Sequence, residues 1–347
     1  MSVTLSKKDK LMLISNLGTM LTAGIPILEA VESLASDSKG NQKKIIETLH
    51  ADLNQGRTIS SSFAKFPKAF DPVTVNLVKA AEESGTLDSS LKDLTVGIKK
   101  DMEFTEKVKG AITYPVFVII VFVGVLLLIL TFVIPRISSV FSRLNVDLPL
   151  PTRILINFSD LLLGKTIPVI AVLAVLVVGI VFLYKTRKKT LLNVILSLPI
   201  LKRLARDIDL TRFCRSMSLL LTSGIPITEA LDLSSNVVTK KEVSRAIETA
   251  KKFVAAGRKL SESFKENSKV IPSIMIRITE AGERSGTLEK SMQDISEYFE
   301  GEVTRRLRTL TSLLEPLMLV FIGLLVGGMM LAIIAPIYGL IGNIGAR

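Results

Sequence analysis

Three long apolar stretches interrupt a chain that is otherwise polar and patterned for helices. They cover residues 115–134, 167–184 and 316–335, and none of them contains a charged side chain. A helix of roughly 20 apolar residues is long enough to cross the hydrocarbon core of a bilayer. A helix buried in a soluble core would instead show a polar face at helical spacing. The pattern therefore predicts three transmembrane helices.

Outside these stretches, apolar residues recur with the period of an α-helix. Leu11, Ile14, Leu17 and Leu21 lie on one face of an amphipathic helix predicted over 8–22. Further helices are expected at about 40–55, after residue 59, at 72–83 and from residue 87, with counterparts in the second half of the chain. No segment alternates clearly enough to be a strand. We therefore predict an all-α fold with about six helices in each half.

The second half of the chain repeats the first. The segment LTAGIPILEA at 21–30 recurs as LTSGIPITEA at 221–230, and AEESGTL at 81–87 recurs as GERSGTL at 282–288. The offset is 200 residues for the first pair and 201 for the second. A repeat of this length indicates two copies of a whole domain.

The first repeated block predicts a helix end followed by a helix start. Gly24 ends one helix, Pro26 suits the first turn of the next, and Glu29 places a carboxylate near the positive end of the helix dipole. The same residues recur as Gly224, Pro226 and Glu229. These six positions are candidates for structural roles or for partner contacts.

The second repeated block predicts another helix junction. Gly85 can adopt the left-handed conformation that closes a helix, and Thr86 can cap the next one. Glu82 precedes this turn in the first copy. The remaining candidates of the two copies are Gly282, Glu283 and Gly286.

Basic residues are distributed unequally around the three apolar stretches. The richer side has Lys99, Lys100, Lys107, Lys109, Lys185, Arg187, Lys188, Lys189, Lys202, Arg203, Arg206, Arg305, Arg306 and Arg308. The other side has Arg136, Arg143, Arg153, Lys165 and Arg347. Cytoplasmic flanks carry the excess of Lys and Arg, so the N-terminus and both repeats are predicted to be cytoplasmic and the C-terminus external. Orientation explains the net charge of +12 without nucleic acid, because no aromatic platform accompanies the lysines.

This topology divides the chain into seven parts. We predict a first cytoplasmic domain at 1–114, spans at 115–134, 167–184 and 316–335, an external loop at 135–166, a second cytoplasmic domain at 185–315 and an external end at 336–347. The apolar residues at 148–162 suit either a helix lying in the membrane interface or an ordinary packed loop.

The sequence has none of the motifs of common catalytic or metal sites. There is no phosphate-binding P-loop, no zinc-protease motif and no nucleophile elbow. The only histidine is His50, and the only cysteine is Cys214, so neither a histidine cluster nor an internal disulfide can form. We therefore expect no enzymatic activity, no metal and no cofactor.

Gly323 and Gly327 form a small-residue motif in the third apolar stretch. This spacing lets two membrane helices approach closely. The glycines could pack within the chain or against a neighbouring span of an assembly.

Taken together, these residues resemble a known family, the integral inner-membrane platform proteins of type II secretion and type IV pilus machines. The resemblance covers both repeats. It rests on the two repeated blocks, on Phe213 and Arg215 ahead of the second G-I-P block, and on the L-P-x-P-T-R loop at 148–153. The first repeat has Leu13 and Ser15 where the second has Phe213 and Arg215.

The resemblance implies a non-enzymatic role at the base of such a machine. Its partners would be a cytoplasmic hexameric assembly ATPase, pilins or pseudopilins, other inner-membrane components, membrane lipid and further copies of the chain. The protein would couple motion of the ATPase to assembly of the subunits.

The main alternative is an oligomeric membrane transporter or channel component. Transporters often combine inverted repeats with binding sites near the bilayer midplane. Here the repeats are parallel, and no ionisable residue lies inside a predicted span. The sequence therefore favours the platform protein.

Overall fold

The computed structural model describes residues 3–143 and 199–344, together with residues 153 and 157. The first half contains α1 (Lys7–Thr22), α2 (Ile27–Asp37), α3 (Gly40–Asn54), α4 (Ile59–Ala64), α5 (Pro72–Ser84), α6 (Leu87–Leu128), a π-helical turn (Ile129–Val133) and α7 (Ile134–Arg143). The second half contains α8 (Pro199–Thr222), α9 (Ile227–Ser235), α10 (Lys241–Ala255), α11 (Leu260–Glu266), α12 (Ser273–Ser285) and α13 (Leu288–Ile344).

The all-α prediction is confirmed, because the described residues contain helices and no strand. Helices α1–α6 and α8–α13 supply the six helices expected in each repeat. The predicted span at 167–184 lies outside the described residues, and so does the predicted interfacial helix at 148–162 apart from residues 153 and 157.

Two compact units make up the described chain. The first combines Met1–Lys107 with Pro199–Arg305, so it contains both repeats. The second contains the described parts of Val108–Leu198 and Arg306–Arg347.

One apolar core runs through both repeats of the first unit. Ile14 and Leu17 on α1 are fully buried in it, as the helical spacing predicts. Leu11 and Leu21 are only partly buried, whereas Leu13, which lies outside the predicted stripe, is fully buried. In the first repeat, the rings of Phe63 and Phe70 stack with their centroids 3.9 Å apart. Each buried side chain of this size contributes roughly 1.5–3 kcal/mol through removal from water, so the shared core is the main source of stability of this unit.

Helices α3 and α10 end in the same backbone turn but stabilise it with different side chains. In the first repeat, Arg57 pairs with Asp52 at 3.1 Å. In the second repeat, the guanidinium of Arg258 stacks on the ring of Phe253 at 3.8 Å. An ion pair and a cation–π contact therefore occupy equivalent places in the two copies.

Asp52 is buried and accepts hydrogen bonds from Lys65, Ser62 and Arg57. The hydrogen bond from Lys65, followed by that from Ser62, holds the pKa of Asp52 below its usual value of 3.8, and these bonds outweigh the opposing effect of burial. Because the native pKa is lowered, the stabilisation is complete above the unfolded pKa and is lost as pH falls through the native pKa.

The second unit brings α6 and α13 side by side. Phe122 and Phe321 meet edge to face with their centroids 5.6 Å apart. The hydroxyl of Thr311 donates to the carbonyl of Ala111 over 3.5 Å. Two segments of the described chain are long and apolar enough to cross a membrane, Phe117–Arg136 and a window within Leu288–Gly328.

A π-helical turn precedes Pro135 at the end of the first apolar stretch. Proline has no N–H, and its ring clashes with the carbonyl four residues earlier, here that of Thr131. Widening the helix over Ile129–Val133 accommodates this clash. The side-chain hydroxyl of Thr131 donates to the carbonyl of Leu127 over 2.7 Å. The helical path then continues to Arg143, beyond the residue 134 at which we predicted the span to end. Similarly, α13 continues to Ile344, past residue 335 at which the third predicted span ends. The boundaries of the spans in the bilayer stay predictions.

We predict that Asp52→Asn lowers the stability of the full chain in detergent at pH 7 by about 1–3 kcal/mol, because the buried hydrogen bonds lose their charged acceptor. The difference from the parent should narrow below pH 4. Thermal unfolding followed by circular dichroism over pH 3–8 measures both effects. The exposed Glu32→Gln provides the control, and an Asp52→Asn penalty that does not change with pH would contradict the assignment.

Candidate functional site

The first G-I-P block forms the turn between α1 and α2. Gly24 has a φ of 80°, which glycine adopts without steric cost. The N–H of Ile25 donates to the carbonyl of Met20 over 3.0 Å, closing the helix in the Schellman manner. Pro26 lies directly before Ile27, the first residue of α2, one position earlier than the first-turn placement predicted from the sequence.

The second copy has the same backbone. Gly224 has a φ of 76°, and the N–H of Ile225 donates to Leu220 over 3.1 Å. Pro226 again precedes the helix, and its carbonyl accepts from Ala230 over 2.8 Å. Each repeat therefore has one rigid corner of identical chemistry.

An exposed carboxylate lies beside each of these corners. Glu29 and Glu229 occupy the first turns of α2 and α9, and both side chains face solvent. The next residues, Ala30 and Ala230, are fully buried. Burial of the alanine thus fixes each helix, while the neighbouring glutamate stays accessible to solvent.

Glu82 and Glu283 differ from these exposed carboxylates because both accept hydrogen bonds from backbone N–H groups. Glu82 accepts from the backbone N–H groups of Ile59 and Ser60, at 2.5 and 3.1 Å. These donors lie at the start of the short helix α4, where backbone N–H groups have no partner within the helix. A carboxylate there also opposes the helix dipole.

Glu283 caps α11 in the same way, accepting from Leu260 and Ser261 at 2.5 and 3.2 Å. Both glutamates lie more than twenty residues from the helix that they cap. Their position in the motif is therefore explained by a tertiary hydrogen bond within the repeat.

Glycine is needed in the second repeated block for two different physical reasons. Gly85 and Gly286 adopt φ values of 70° and 71° at the ends of α5 and α12, as predicted for a left-handed helix end. Gly282 is required by packing, because a Cβ on it would lie 2.2 Å from the hydroxyl oxygen of Ser291 on α13. Its counterpart in the first repeat is the small, buried Ala81.

Phe213 and Arg215 point in different directions from α8. Phe213 is fully buried in the core of the second repeat, edge-on to Phe264. Arg215 lies at the junction of the two repeats, where its guanidinium is 5.6 Å from the ring centroid of Phe104. Neither residue is exposed, so both have an internal structural role.

Glu300 on α13 completes this junction. It pairs with Arg215 at 2.6 Å and with Lys107 of the first repeat at 2.9 Å. Sequence reasoning missed Glu300 because it has the local pattern of an ordinary surface charge. It also missed Gly97, although an isolated glycine inside a helix is a signal of close packing.

Gly323 and Gly327 lie on an open face of α13. A Cβ placed on either glycine would meet no atom of the described chain within 4 Å. Close packing of these glycines therefore stays a prediction for contacts with a further helix.

The fold and these repeated turns define a class of duplicated helical proteins with apolar spans, and comparison with known proteins identifies the family. The model of type II secretion system protein F matches twice, over residues 13–135 and 213–336. These two matches fall one on each repeat.

Proteins similar to the chain come from both kinds of machine. Type IV pilus assembly protein PilC of Thermus thermophilus is 32% identical over 343 residues, covering 98% of this chain and 84% of that protein. PilC of Pseudomonas aeruginosa is 32% identical over 334 residues, covering 94% and 88%. Type II secretion system protein F of Pseudomonas aeruginosa is 28% identical over 341 residues, covering 97% and 84%.

The chain therefore belongs to the type II secretion system protein F family, the inner-membrane platform proteins of type IV pilus and type II secretion machines. The resemblance stated from the sequence is confirmed. So are the platform role and membership of a machine with other components.

We predict that Gly286→Val destabilises the protein by about 1–2 kcal/mol or more, because a side chain disfavours the left-handed conformation. Open space around Gly286 excludes a steric clash as the cause. The matched control is Gly301→Val, which places the same side chain in open space within α13. Equal thermal unfolding midpoints for the two variants would contradict this account of the turn.

Proposed function

We propose that this platform protein transmits motion of a cytoplasmic assembly ATPase to pilin or pseudopilin subunits in the inner membrane. The observation that carries the proposal is the duplicated corner with its exposed glutamate, at Glu29 and at Glu229. Two identical corners on one compact unit provide two equivalent contact surfaces for the same kind of partner. Family membership supports a structural role rather than a catalytic one.

We further propose that the chain crosses the membrane three times, with its N-terminus and both repeats in the cytoplasm and its C-terminus outside. The asymmetric distribution of Lys and Arg supports this orientation. The predicted division at 1–114, 185–315 and the three spans follows from it, and cytoplasmic repeats would be accessible to a cytoplasmic ATPase.

The exposed carboxylates would bind basic side chains of the ATPase. Charged groups at such a rim contribute mainly to the association rate and to the choice of partner. Because the corner backbone is held by the glycine turn and by the buried alanine, a substitution at the glutamate changes surface charge without unfolding the helix.

The test is charge reversal in a strain that carries its own pilus or secretion machine. We expect deletion of the gene to abolish fibres. We expect the double variant with Glu29→Lys and Glu229→Lys to bind the purified ATPase about tenfold more weakly, a loss of about 1.4 kcal/mol. The control is Glu248→Lys, a charge reversal at another exposed glutamate, on α10. Normal fibres in the deletion strain would overturn the function, whereas unchanged ATPase binding by the double variant would overturn only the contact surface.

A further inference from the structure

The two repeats contact one another through different faces. Helices α5 and α6 of the first repeat pack against α8 of the second, and α5 also contacts α9. Because α8 and α9 are the counterparts of α1 and α2, the contact joins the α5–α6 face of one repeat to the α1–α2-type face of the other. Such an interface is heterologous, and it leaves one face of each type unpaired.

Close side-chain contacts define this junction. A Cβ on Gly97 of α6 would lie 3.3 Å from the side chain of Leu219 on α8. Arg212 lies 3.8 Å from Asp101, also across the two repeats. The glycine therefore allows α8 to approach α6 closely, and the charges flank the point of approach.

The equivalent faces on the outer sides of the two repeats do not form such a contact within the described chain. Helix α12 is the counterpart of α5, and among the described residues it has no comparable contact with α1 or α2. Ile274 on α12, Tyr298 on α13 and Met12 on α1 are exposed, so the α12–α13 face of the second repeat and the α1–α2 face of the first are open in the described chain. We call them the leading face and the trailing face.

Exposed apolar side chains mark these two faces. Val73 in the junction is 7% exposed, whereas its counterpart Ile274 on the leading face is 36% exposed. Tyr298, the counterpart of Gly97, is 44% exposed on the same face. On the trailing face, Met12 is 46% exposed at the position that corresponds to Arg212.

We propose that the leading face of one copy of this chain docks on the trailing face of a second copy, repeating the junction that joins the two repeats within each chain. The occupant is a second copy because the chain already contains one complete example of the interface. This proposal does not depend on binding of an ATPase.

The sizes of the facing side chains fit this arrangement. Within the chain, large Leu219 meets Gly97. Between copies, the same positions hold Thr19 and Tyr298, so that the larger side chain comes from the opposite partner. Thr19 is exposed on α1 and can accept the aromatic ring. Burial of such an aromatic ring is a typical source of interface energy.

The contact between copies would be mainly apolar, whereas the junction within the chain contains charged side chains. Arg212 and Arg215 of the junction are replaced on the trailing face by Met12 and Ser15. The contact between copies should therefore depend less on salt than an ion-pair interface would. Repetition of a heterologous contact gives a ring where the rotation between copies closes and an open row where it does not.

The test is disulfide cross-linking between two differently tagged full-length chains expressed together. One chain carries Thr19→Cys and the other Tyr298→Cys, so a bond between them must join two copies. The native Cys214 is fully buried and is present in every sample. We expect a covalent dimer that contains both tags after mild oxidation of membranes.

Two controls make the result decisive. Lys44→Cys lies exposed on α3, outside the trailing face, and it should not cross-link to Tyr298→Cys. Chains with Thr19→Cys alone should not form dimers, because a heterologous contact does not bring two trailing faces together. No mixed dimer, equal cross-linking through Lys44→Cys, or a Thr19→Cys homodimer would each overturn the proposal.

Discussion

Arg215 lies between the ring of Phe104 and the carboxylate of Glu300, and the polar part of the junction between the two repeats depends on this contact. The arginine belongs to α8 of the second repeat, the ring to α6 of the first, and the carboxylate to α13. Glu300 also pairs with Lys107, so one carboxylate joins both repeats. Arg215 and Glu300 are largely shielded from water, which strengthens their interaction and makes loss of either partner costly. The junction therefore turns two small helical bundles into one unit.

Comparison of the two repeats shows which residues the backbone requires and which can differ between the copies. The same glycine turns, the same buried alanines and the same distant glutamate caps appear in both copies, because each solves a local hydrogen-bonding problem. Positions without such a constraint have diverged. Asp52 corresponds to Phe253 and Gly97 to Tyr298, and these differences give each repeat its own neighbours.

The sequence predicts most of the local structure of the described chain and little of its tertiary contacts. The period of apolar residues located α1 to within a residue, and Gly85 and Gly286 have the left-handed conformation expected of them. The caps made by Glu82 and Glu283 could not be predicted, since each joins residues more than twenty positions apart. Likewise, the sequence marks Phe213 and Arg215 as a motif, but only packing shows that Phe213 lies in the core and Arg215 at the junction. The π-helical turn before Pro135 depends on how a helix absorbs a proline, which the sequence leaves open.

The central claim is that the two repeats are energetically coupled through the junction. Hydrogen exchange measured by mass spectrometry on the full chain in detergent tests it, with Glu300→Arg compared with the parent. Because this change places a positive charge beside Arg215 and Lys107, we expect faster exchange in α8 and also in residues 87–107 of the first repeat. Faster exchange confined to the second repeat would show that the repeats open independently and would contradict the account.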